Sequence, residues 1–400
     1  MKFGLIPRLL VGIVLGILVG MIAPIWLLSV TETGRVLLGN IINFFIPFII
    51  FSFIAYSIAQ LSKNAGKLLS FTLIISYIDT IIACSIAAIS AYLIIPNIVQ
   101  GKTFNEPGAN SIPDPIVSIE FPAFMDIMSA LIFAIVIGLA ASWGKANIIA
   151  KVVEELKGII DIVIKRFIIP VIPFFIFFIF VGIAAEGEVS GAILIFGQML
   201  VLIIVLQLLW LTIEYSIASF YTNTNPVKAI KTMIPAYFTA MGTMSSAATI
   251  PVSLRQGIKL PKMDKRIAEF VMPLCANIHS AGAALTLTIS AVTVSLITQG
   301  SLPEISLMTV FIIVLAVILT GAAGVPGGSV LATLGILQSI LGFDEVALGL
   351  MLALFMVQDT FGTATNITGD GAIAMIVNKI FGNDHNEEAE VVKEGEIINE

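Results

Sequence analysis

The sequence predicts an all-α polytopic membrane protein with eight transmembrane helices and two re-entrant helical hairpins. Of its 400 residues, 58% are hydrophobic and only 12% are charged, and the mean hydropathy is +1.06. A soluble protein carries roughly twice that charged fraction. The apolar residues form long segments, and two segments in the second half are interrupted by small residues and proline.

Six uninterrupted apolar segments fill the first half of the chain, and each is about as long as the roughly 20 residues that a helix needs to cross a bilayer. They are 5–30, 36–60, 66–95, 124–143, 158–185 and 190–221. No small-residue cleavage pattern follows Lys2 and Arg8, so the first segment is interpreted as a span and not as a signal peptide.

Two interrupted segments follow. The first, 233–257, has its break at 244–251, and the second, 306–343, has its break at 322–329. Non-helical backbone at membrane depth is tolerated only where protein buries it or where it lines a cavity. Each segment is therefore expected to fold back as a hairpin, and a pair of such segments indicates the binding site of a transporter.

The remaining segments complete the prediction. One long span, 267–296, carries a polar group of residues, 277–282, at its centre, and the last span covers 344–381. The positive-inside rule places both termini in the cytoplasm, because sixteen of the 20 Lys and Arg residues then face inward and only Arg35 and Lys102 face outward. The final nineteen residues, 382–400, carry seven acidic residues and read as a solvated tail.

One polar stripe marks the last span. Asp359, Thr363, Asn366 and Asp370 are spaced four, three and four residues apart, so they lie on one face of a helix. Two carboxylates within hydrocarbon are costly, and ionisable groups there are functional by default. Oxygen ligands suit hard cations, so the stripe predicts a cation site. The alternative is that Asn and Asp only bond a neighbouring helix.

The hairpin tips offer complementary chemistry. Ser245 and Ser246 provide hydroxyls beside a helix N-terminus, whose free N–H groups suit a substrate carboxylate. The glycines between 321 and 328 let backbone approach a ligand closely, as a gate requires. The alternative is two kinked helices packed on small residues.

Three motifs together resemble the dicarboxylate/amino acid:cation symporter family, the glutamate transporter homologues, and most closely its serine/threonine branch. They are SSAATIPV, AAGVPGG and QDTFGTATNITGD. The resemblance implies a glutamate-transporter-homologue fold, a homotrimer and an elevator mechanism, with the second hairpin as extracellular gate. It also implies a division into 1–65 (scaffold helices), 66–96 (transport-domain helix), 97–221 (scaffold helices 4 and 5 with transport helix 6), 222–381 (transport-domain core) and 382–400 (tail).

The resemblance also implies residue roles. Asp359 would hold the substrate amino group, assisted by Thr363, while Asn366 and the serine tip take the carboxylate. The residues assigned to substrate are Ser245, Ser246, Val325, Gly327, Asp359, Gly362, Thr363 and Asn366. Those assigned to coupled cations, including a sodium ion at Asp370 and Asn366, are Cys275, Asn277, His279, Ser280, Ala322, Asn366 and Asp370.

One departure from the family bears on the substrate. Members that take acidic substrates have an arginine one residue before the threonine, where this chain has Gly362. No Lys or Arg occurs in 267–378 or 233–254, so a second substrate carboxylate would be buried without a fixed partner. We expect a small neutral amino acid such as serine, threonine or alanine. The alternative is sodium- or proton-coupled uptake of an acidic amino acid or a C4-dicarboxylate.

A second departure lies in the seventh span. The family's Asn-Met-Asp-Gly-Thr is replaced by the sequence 279–283, HSAGA, which lacks the acidic residue. The resemblance also implies a cation ligand at Ser76, and Asp79, three residues later, is expected to supply the missing charge, so that Ser76, Asp79 and His279 converge on one cation site. Histidine titrates near neutral pH, so a proton could replace one sodium ion; the alternative is a neutral His279 that takes the place of the asparagine.

Two other functional classes, an ion channel and an intramembrane hydrolase, fit the sequence less well. An ion channel usually repeats a short filter around an axis, whereas the two interrupted segments here are dissimilar. A hydrolase using Ser245 or Ser246 with His279 would need a nucleophile-elbow pattern, which these serines lack. The chain is therefore expected to be no enzyme, to reside in the cell (inner) membrane, and to need no cofactor beyond coupled sodium or a proton. Its expected partners are a small-molecule substrate, membrane lipid and copies of itself, with no nucleic acid. Glu214 is expected to reach the membrane interface or pair with a basic residue.

Overall fold

The computed structural model describes residues 5–60, 67–99, 113–119, 121–122, 124–143, 147–185, 187, 189–322, 324 and 326–382. Within these ranges the regular structure is helical and contains no strand. The helices are α1 (Leu5–Ile22), α2 (Ile25–Gln60), α3 (Lys67–Val99), α4 (Ile127–Trp143), α5 (Asn147–Val163), α6 (Ile169–Ala185), α7 (Val189–Thr222), α8 (Pro226–Thr243), α9 (Ser246–Gly257), α10 (Lys265–Ile278), α11 (Ala281–Thr298), α12 (Ile305–Leu319), α13 (Gly328–Leu341) and α14 (Glu345–Phe381).

The described helices are those of an integral membrane protein. Six helical stretches are long and apolar enough to cross a bilayer, and they are 25–56, 67–99, 148–185, 193–222, 265–298 and 345–381. Four shorter apolar helices accompany them, at 7–22, 129–142, 305–319 and 328–341. The all-helical membrane class is therefore confirmed.

The boundaries of two early spans differ from the sequence-based expectation. The first helix ends at Ile22 and the second begins at Ile25, so the break falls at Ala23–Pro24 and not within 31–35. Proline has no N–H to continue the helix and is favoured where the next helix begins. The helix expected at 158–185 begins earlier, at Asn147, and runs through a π-helical turn at Ile164–Ile168 into α6.

The first interrupted segment forms two helices, α8 and α9, that pack against each other. The break is only Met244–Ser245, much shorter than the expected 244–251, and Pro251 lies inside α9. Pro251 is the sixth residue of α9, past the first turn whose N–H groups have no intrahelical partner, so it removes one N–H···O=C bond from this short helix. Met244 turns the chain with a left-handed φ of +50°, and Ser245 caps α9.

The second interrupted segment forms α12 and α13, which also pack on each other. Its break spans 320–327, against an expected 322–329. Gly327 ends the break with φ +73°, and a Cβ at this position would lie 1.9 Å from Met356 Cε. Only glycine satisfies both conditions.

The segment expected as one long span contains a break of its own. Helix α10 ends at Ile278 and α11 begins at Ala281, so His279 and Ser280 leave the helical path at the centre of the predicted polar group. The break exposes the C=O groups that end α10 and the N–H groups that begin α11, and these groups need partners. Helix α14 supplies partners for the N–H groups at the start of α11, through the side-chain oxygen of Asn366.

Helix α14 is the centre of the second half of the chain. It packs against α7, α8, α10 and α11, and 78% of its most apolar window is buried. Its approach to α11 is close, because a Cβ on Gly282 would lie 2.5 Å from the Gly362 carbonyl oxygen. This packing brings the polar stripe of α14 against both broken segments and the α10–α11 break.

Candidate functional site

A small cavity of about 20 Å³ lies where the two hairpin breaks, the α10–α11 break and α14 meet. This volume holds one or two water molecules. Its lining residues are Met244, Ser246, Ala276, Asn277, Ser280, Ala322, Gly324, Ser329, Asp359, Thr363 and Asn366. The lining is mostly polar although the surrounding helices are largely apolar, so the cavity can hold water or a small polar group.

Asp359 is the charged side chain of this cavity. Its carboxylate is 5% exposed and accepts a hydrogen bond of 2.8 Å from the backbone N–H of Gly327. The Thr363 hydroxyl donates to its other oxygen at 3.3 Å. The carboxylate therefore fastens α14 to the second hairpin break.

Ser245 joins the two hairpin breaks directly. Its hydroxyl donates to the Gly324 carbonyl oxygen at 2.8 Å and accepts from the Ala248 N–H at 3.3 Å, which caps α9. A Cβ on Gly324 would lie 3.5 Å from the Ala247 nitrogen, so the two breaks touch through backbone as well. The cavity is thus closed on the side where the breaks meet.

Asn366 bridges α14 to the start of α11. Its side-chain oxygen accepts hydrogen bonds from the N–H groups of Gly282 at 2.8 Å and Ala283 at 3.2 Å. These are two of the free donors of that helix terminus. The amide oxygen is therefore committed to the backbone, and the Asn366 side chain lines the cavity beyond that contact.

A second polar cluster lies beside the cavity, around His279. Its Nδ1 is 3.0 Å from Asp370 Oδ1 and its Nε2 is 2.8 Å from Asp79 Oδ2. Glu214 Oε1 lies 3.7 Å from the same Nε2. Three carboxylates from α3, α7 and α14 therefore surround one buried imidazole. The backbone N–H of His279 donates to the Cys275 carbonyl at the end of α10.

Asp370 connects this cluster to the cation site predicted on α14. The residue is fully buried, and its Oδ2 has no hydrogen-bond partner. Cys275 lies on the neighbouring face of α10, with its Sγ 3.9 Å from Ser76 Oγ. A buried carboxylate oxygen without a partner is costly, so this position is suited to a cation.

The predicted residues thus divide between two neighbouring places. Those that line the cavity are Ser246, Asn277, Ser280, Ala322, Asp359, Thr363 and Asn366. Those at or beside the histidine cluster are Ser76, Asp79, Cys275, His279 and Asp370. The expected contact between Asp79 and His279 is present.

Four predicted residues are in neither set, and one of them, Ser245, joins the two hairpin breaks as described above. Gly362 does not line the cavity and packs instead against the backbone of Gly282 and Ala283. Gly327 contributes its N–H to Asp359. Val325 lies outside the described residues.

Sequence reasoning missed two residues of the site. Glu214 was expected at the interface or beside a basic residue, yet it is 5% exposed and faces His279. The sequence does single out Glu214, because it is the only charged residue within the apolar helix 193–222. Ser329, which lines the cavity, could not be found, because its role depends on how the second break folds.

Comparison with known proteins accords with this geometry. The chain is 28% identical over 405 residues to "Serine/threonine transporter SstT" of Campylobacter jejuni, covering 94% of this chain and 96% of that protein. It is 26% identical over 392 residues to the transporter of the same name from Enterococcus faecalis, covering 92% and 90%. It is also 28% identical over 268 residues to "Excitatory amino acid transporter 1" of Ambystoma tigrinum, covering 64% and 46%.

These relatives are transporters and not enzymes. A sequence model described as the sodium:dicarboxylate symporter family matches residues 5–380, which includes both hairpin breaks, the α10–α11 break and all of α14 except its last residue. The chain therefore belongs to the sodium:dicarboxylate symporter family.

Proposed function

We propose that the protein is a sodium-coupled symporter of a small neutral amino acid with a serine-, threonine- or alanine-like side chain. The observation that carries the proposal is that Asp359 is the one charged side chain lining the cavity within the described part of the chain. A single fixed carboxylate suits an ammonium group. No fixed cation is present there to pair a second substrate carboxylate.

The α-carboxylate of the substrate would lie at the opposite end of the cavity. Ser246 is the first residue of α9, and the N–H groups at a helix N-terminus favour an anion. Asn366 and Ser329 supply polar atoms on the facing side. Two curated relatives carry the name serine/threonine transporter, which supports the same class of substrate.

The coupled sodium ion would bind at Asp370. Its unpartnered Oδ2 is buried, and backbone carbonyls near Cys275, His279 and Asn366 would complete an oxygen site, of the kind that hard cations prefer. A further ion would be shared between the second hairpin near Ala322 and the seventh span. Binding there would favour the closed form of the second break.

Transport would use an elevator motion within a homotrimer in the cell membrane, with both termini cytoplasmic. A crevice of about 680 Å³ separates Tyr56 and Lys157, on α2 and α5, from Tyr77 on α3 and the second break. It follows the boundary between the scaffold and transport groups implied by the family. The cavity of about 20 Å³ is too small for an amino acid, so the second break would have to open as a gate.

Uptake into proteoliposomes tests the proposal. Labelled serine should accumulate when a sodium gradient points inward and should not accumulate with potassium in its place. Unlabelled alanine and threonine should compete, whereas glutamate and succinate should not. Preference for glutamate or succinate over serine would contradict the substrate, and uptake that ignores sodium would contradict the coupling.

A second candidate is that a proton replaces one sodium ion. Both ring nitrogens of His279 pair with carboxylate oxygens, at 3.0 Å and 2.8 Å, and an imidazole donates from both nitrogens only when it is protonated. Serine uptake driven equally well by a pH gradient in the absence of sodium would favour this candidate. Uptake that requires sodium at every pH would rule it out.

A further inference from the structure

The orientation of His279 defines which of its nitrogens is free. Asp370 Oδ1 lies 3.0 Å from Nδ1, and a carboxylate accepts, so Nδ1 carries the hydrogen. In a neutral imidazole Nε2 then presents a lone pair. That lone pair faces Asp79 Oδ2 at 2.8 Å and Glu214 Oε1 at 3.7 Å. The lone pair of Nε2 and the two carboxylate oxygens repel one another unless a positive charge lies between them.

Glu214 decides what kind of charge fits. Its side chain is 3% exposed, and neither of its carboxylate oxygens has a hydrogen-bond partner. A proton on Nε2 would satisfy Asp79 but would leave Glu214 Oε1 at 3.7 Å from that nitrogen, beyond hydrogen-bond distance, with its buried carboxylate beside that of Asp79, which is costly. An ion placed among the three groups would satisfy all of them.

The donor set indicates the class of ion. One imidazole nitrogen and two carboxylates, with their ligand atoms within 4.8 Å of one another, are donors that divalent first-row transition ions accept, whereas alkali ions prefer oxygen alone. Two positive charges also match the two carboxylates. The bond from Nδ1 to Asp370 repeats the arrangement in which a metal-binding histidine donates its other N–H to a carboxylate.

We propose that Asp79, Glu214 and His279 form a binding site for a divalent transition-metal ion of the Zn²⁺ or Co²⁺ type. The site joins α3, α7 and the end of α10, with Asp370 as the residue that orients the histidine. Asp79 is the ligand nearest the outside, since its side chain is 13% exposed while that of His279 is fully buried. An ion would therefore enter past Asp79.

The proposal goes beyond amino-acid transport and does not depend on which substrate is carried. A divalent ion bound here would draw α3, α7 and α10 together beside the proposed sodium site at Asp370. Zn²⁺ is accordingly expected to inhibit transport by acting within the transport core. Binding can be measured without substrate and without sodium, so the metal site and the transport function can fail separately.

The test uses the purified full-length protein in detergent, freed of metal with a chelator, and Co²⁺ as the probe. Titration should show one Co²⁺ bound per chain, with a visible absorption spectrum that Zn²⁺ displaces. Glu214→Gln should weaken Co²⁺ binding at least tenfold. Glu269→Gln is the matched control, because Glu269 lies exposed on α10 and, within the described residues, forms its salt bridge with Lys265 of the same helix. Co²⁺ binding by this variant should equal that of the unaltered protein.

Two further measurements keep the test decisive. If Glu214→Gln does not purify as a folded protein, Asp79→Asn removes another ligand at the partly exposed edge of the site and should also weaken binding at least tenfold. The chain has two histidines, His279 and His385, so nitrogen NMR of a His385→Asn variant reports on His279 alone. Zn²⁺ should move the Nε2 signal and leave Nδ1 protonated.

Three results would overturn the proposal. They are the absence of stoichiometric Co²⁺ binding, equal Co²⁺ affinity in Glu214→Gln and Glu269→Gln, or a His279 signal that shows both nitrogens protonated and does not respond to Zn²⁺. The last result would mean that a proton, and not a metal ion, occupies the space between His279 and Asp79.

Discussion

Asp359 and His279 carry the electrostatics of this site at the scale of single residues, and they do so differently. Asp359 accepts a hydrogen bond from the backbone of a hairpin break and lines the cavity, where the ammonium group of the proposed substrate would bind. His279 is enclosed by three carboxylates, so its electrostatic partners are the other side chains of the buried cluster. Removing either side chain should therefore have a different consequence.

Asp359→Asn should weaken serine binding while leaving the protein folded. The amide keeps an oxygen for the Gly327 N–H but loses the charge, and a hydrogen bond to a charged group contributes about 1.5–3 kcal/mol, or roughly 10- to 100-fold in affinity. Calorimetric titration of serine measures the change. Ser329→Ala, which alters the same cavity without altering its charge, should have the smaller effect; equal effects would contradict a role for the Asp359 charge.

His279→Ala should destabilise the protein, because it leaves buried carboxylates without a partner. The expected loss is at least about 1–3 kcal/mol, the cost of leaving a buried hydrogen-bonding group unsatisfied. The thermal unfolding midpoint in detergent measures it. Combining His279→Ala with Asp79→Asn should recover part of the loss, and no recovery would mean that the imidazole acts through packing instead of charge.

At the scale of elements, the breaks in the helices matter more than the helices themselves. Each break leaves backbone N–H or C=O groups that a neighbouring element satisfies. Asp359 accepts from the second hairpin break and Asn366 accepts from the start of α11. The Ser245 hydroxyl donates from the first hairpin break to a carbonyl of the second. Side chains that serve in this way hold the elements in register around the cavity.

Ser245→Ala should loosen the contact between the two hairpin breaks. It removes the bond to the Gly324 carbonyl and the cap of α9, and a lost cap costs about 1 kcal/mol. Hydrogen exchange of the segment 319–328 should become faster. Ser253→Ala is the control, since that hydroxyl bonds only within its own helix, to Ile250; equal acceleration in both variants would contradict a specific link.

Gly282→Ala and Gly362→Ala should differ sharply although both lie where α11 meets α14. A Cβ at 282 would be 2.5 Å from the Gly362 carbonyl oxygen, whereas a Cβ at 362 would find its nearest atoms at an ordinary 3.6 Å. Overpacking costs typically about 1–3 kcal/mol. Unfolding midpoints should fall for the first variant and change little for the second, and a reversed order would contradict the packing described.

At the scale of the whole molecule, an elevator motion requires contacts between the two groups of helices to break and re-form. One such contact joins Arg35 on α2 to Glu345 at the start of α14, at 3.6 Å, with Asn43 donating to the same carboxylate at 3.4 Å. In the proposed mechanism these residues lie on opposite sides of the moving boundary, so their pairing would hold one end state.

Glu345→Gln should change the transport rate, because it weakens that pairing. An ion pair of this partly exposed kind is worth about 0.2–1 kcal/mol, so the expected change is at most about fivefold. Glu269→Gln breaks a pair that lies within α10 alone and should leave the rate unaltered. Initial rates of serine uptake measure both variants, and identical rates for the two would argue against Glu345 crossing a moving boundary.

The sequence by itself determined the membrane class, the two interrupted segments and the polar stripe on the last helix. These features follow from composition and from spacing along one chain, and a helix converts spacing into a face without help from its neighbours. The contact between Asp79 and His279 was also predicted. The seventh span lacks an acidic residue that the family has there, and the third span carries an acidic residue, Asp79, that could replace it.

Only the tertiary structure decided the rest. Glu214 lies against His279 and not at the membrane interface, and Gly362 packs against α11 and does not line the cavity. The Asn366 side-chain oxygen accepts from backbone N–H groups. The first break is only two residues long. Each outcome depends on which helix lies opposite, and residues as far apart in sequence as Gly282 and Asn366 come together only through packing. Burial then decides their chemistry, because a charge surrounded by protein must find a partner that the local sequence does not name.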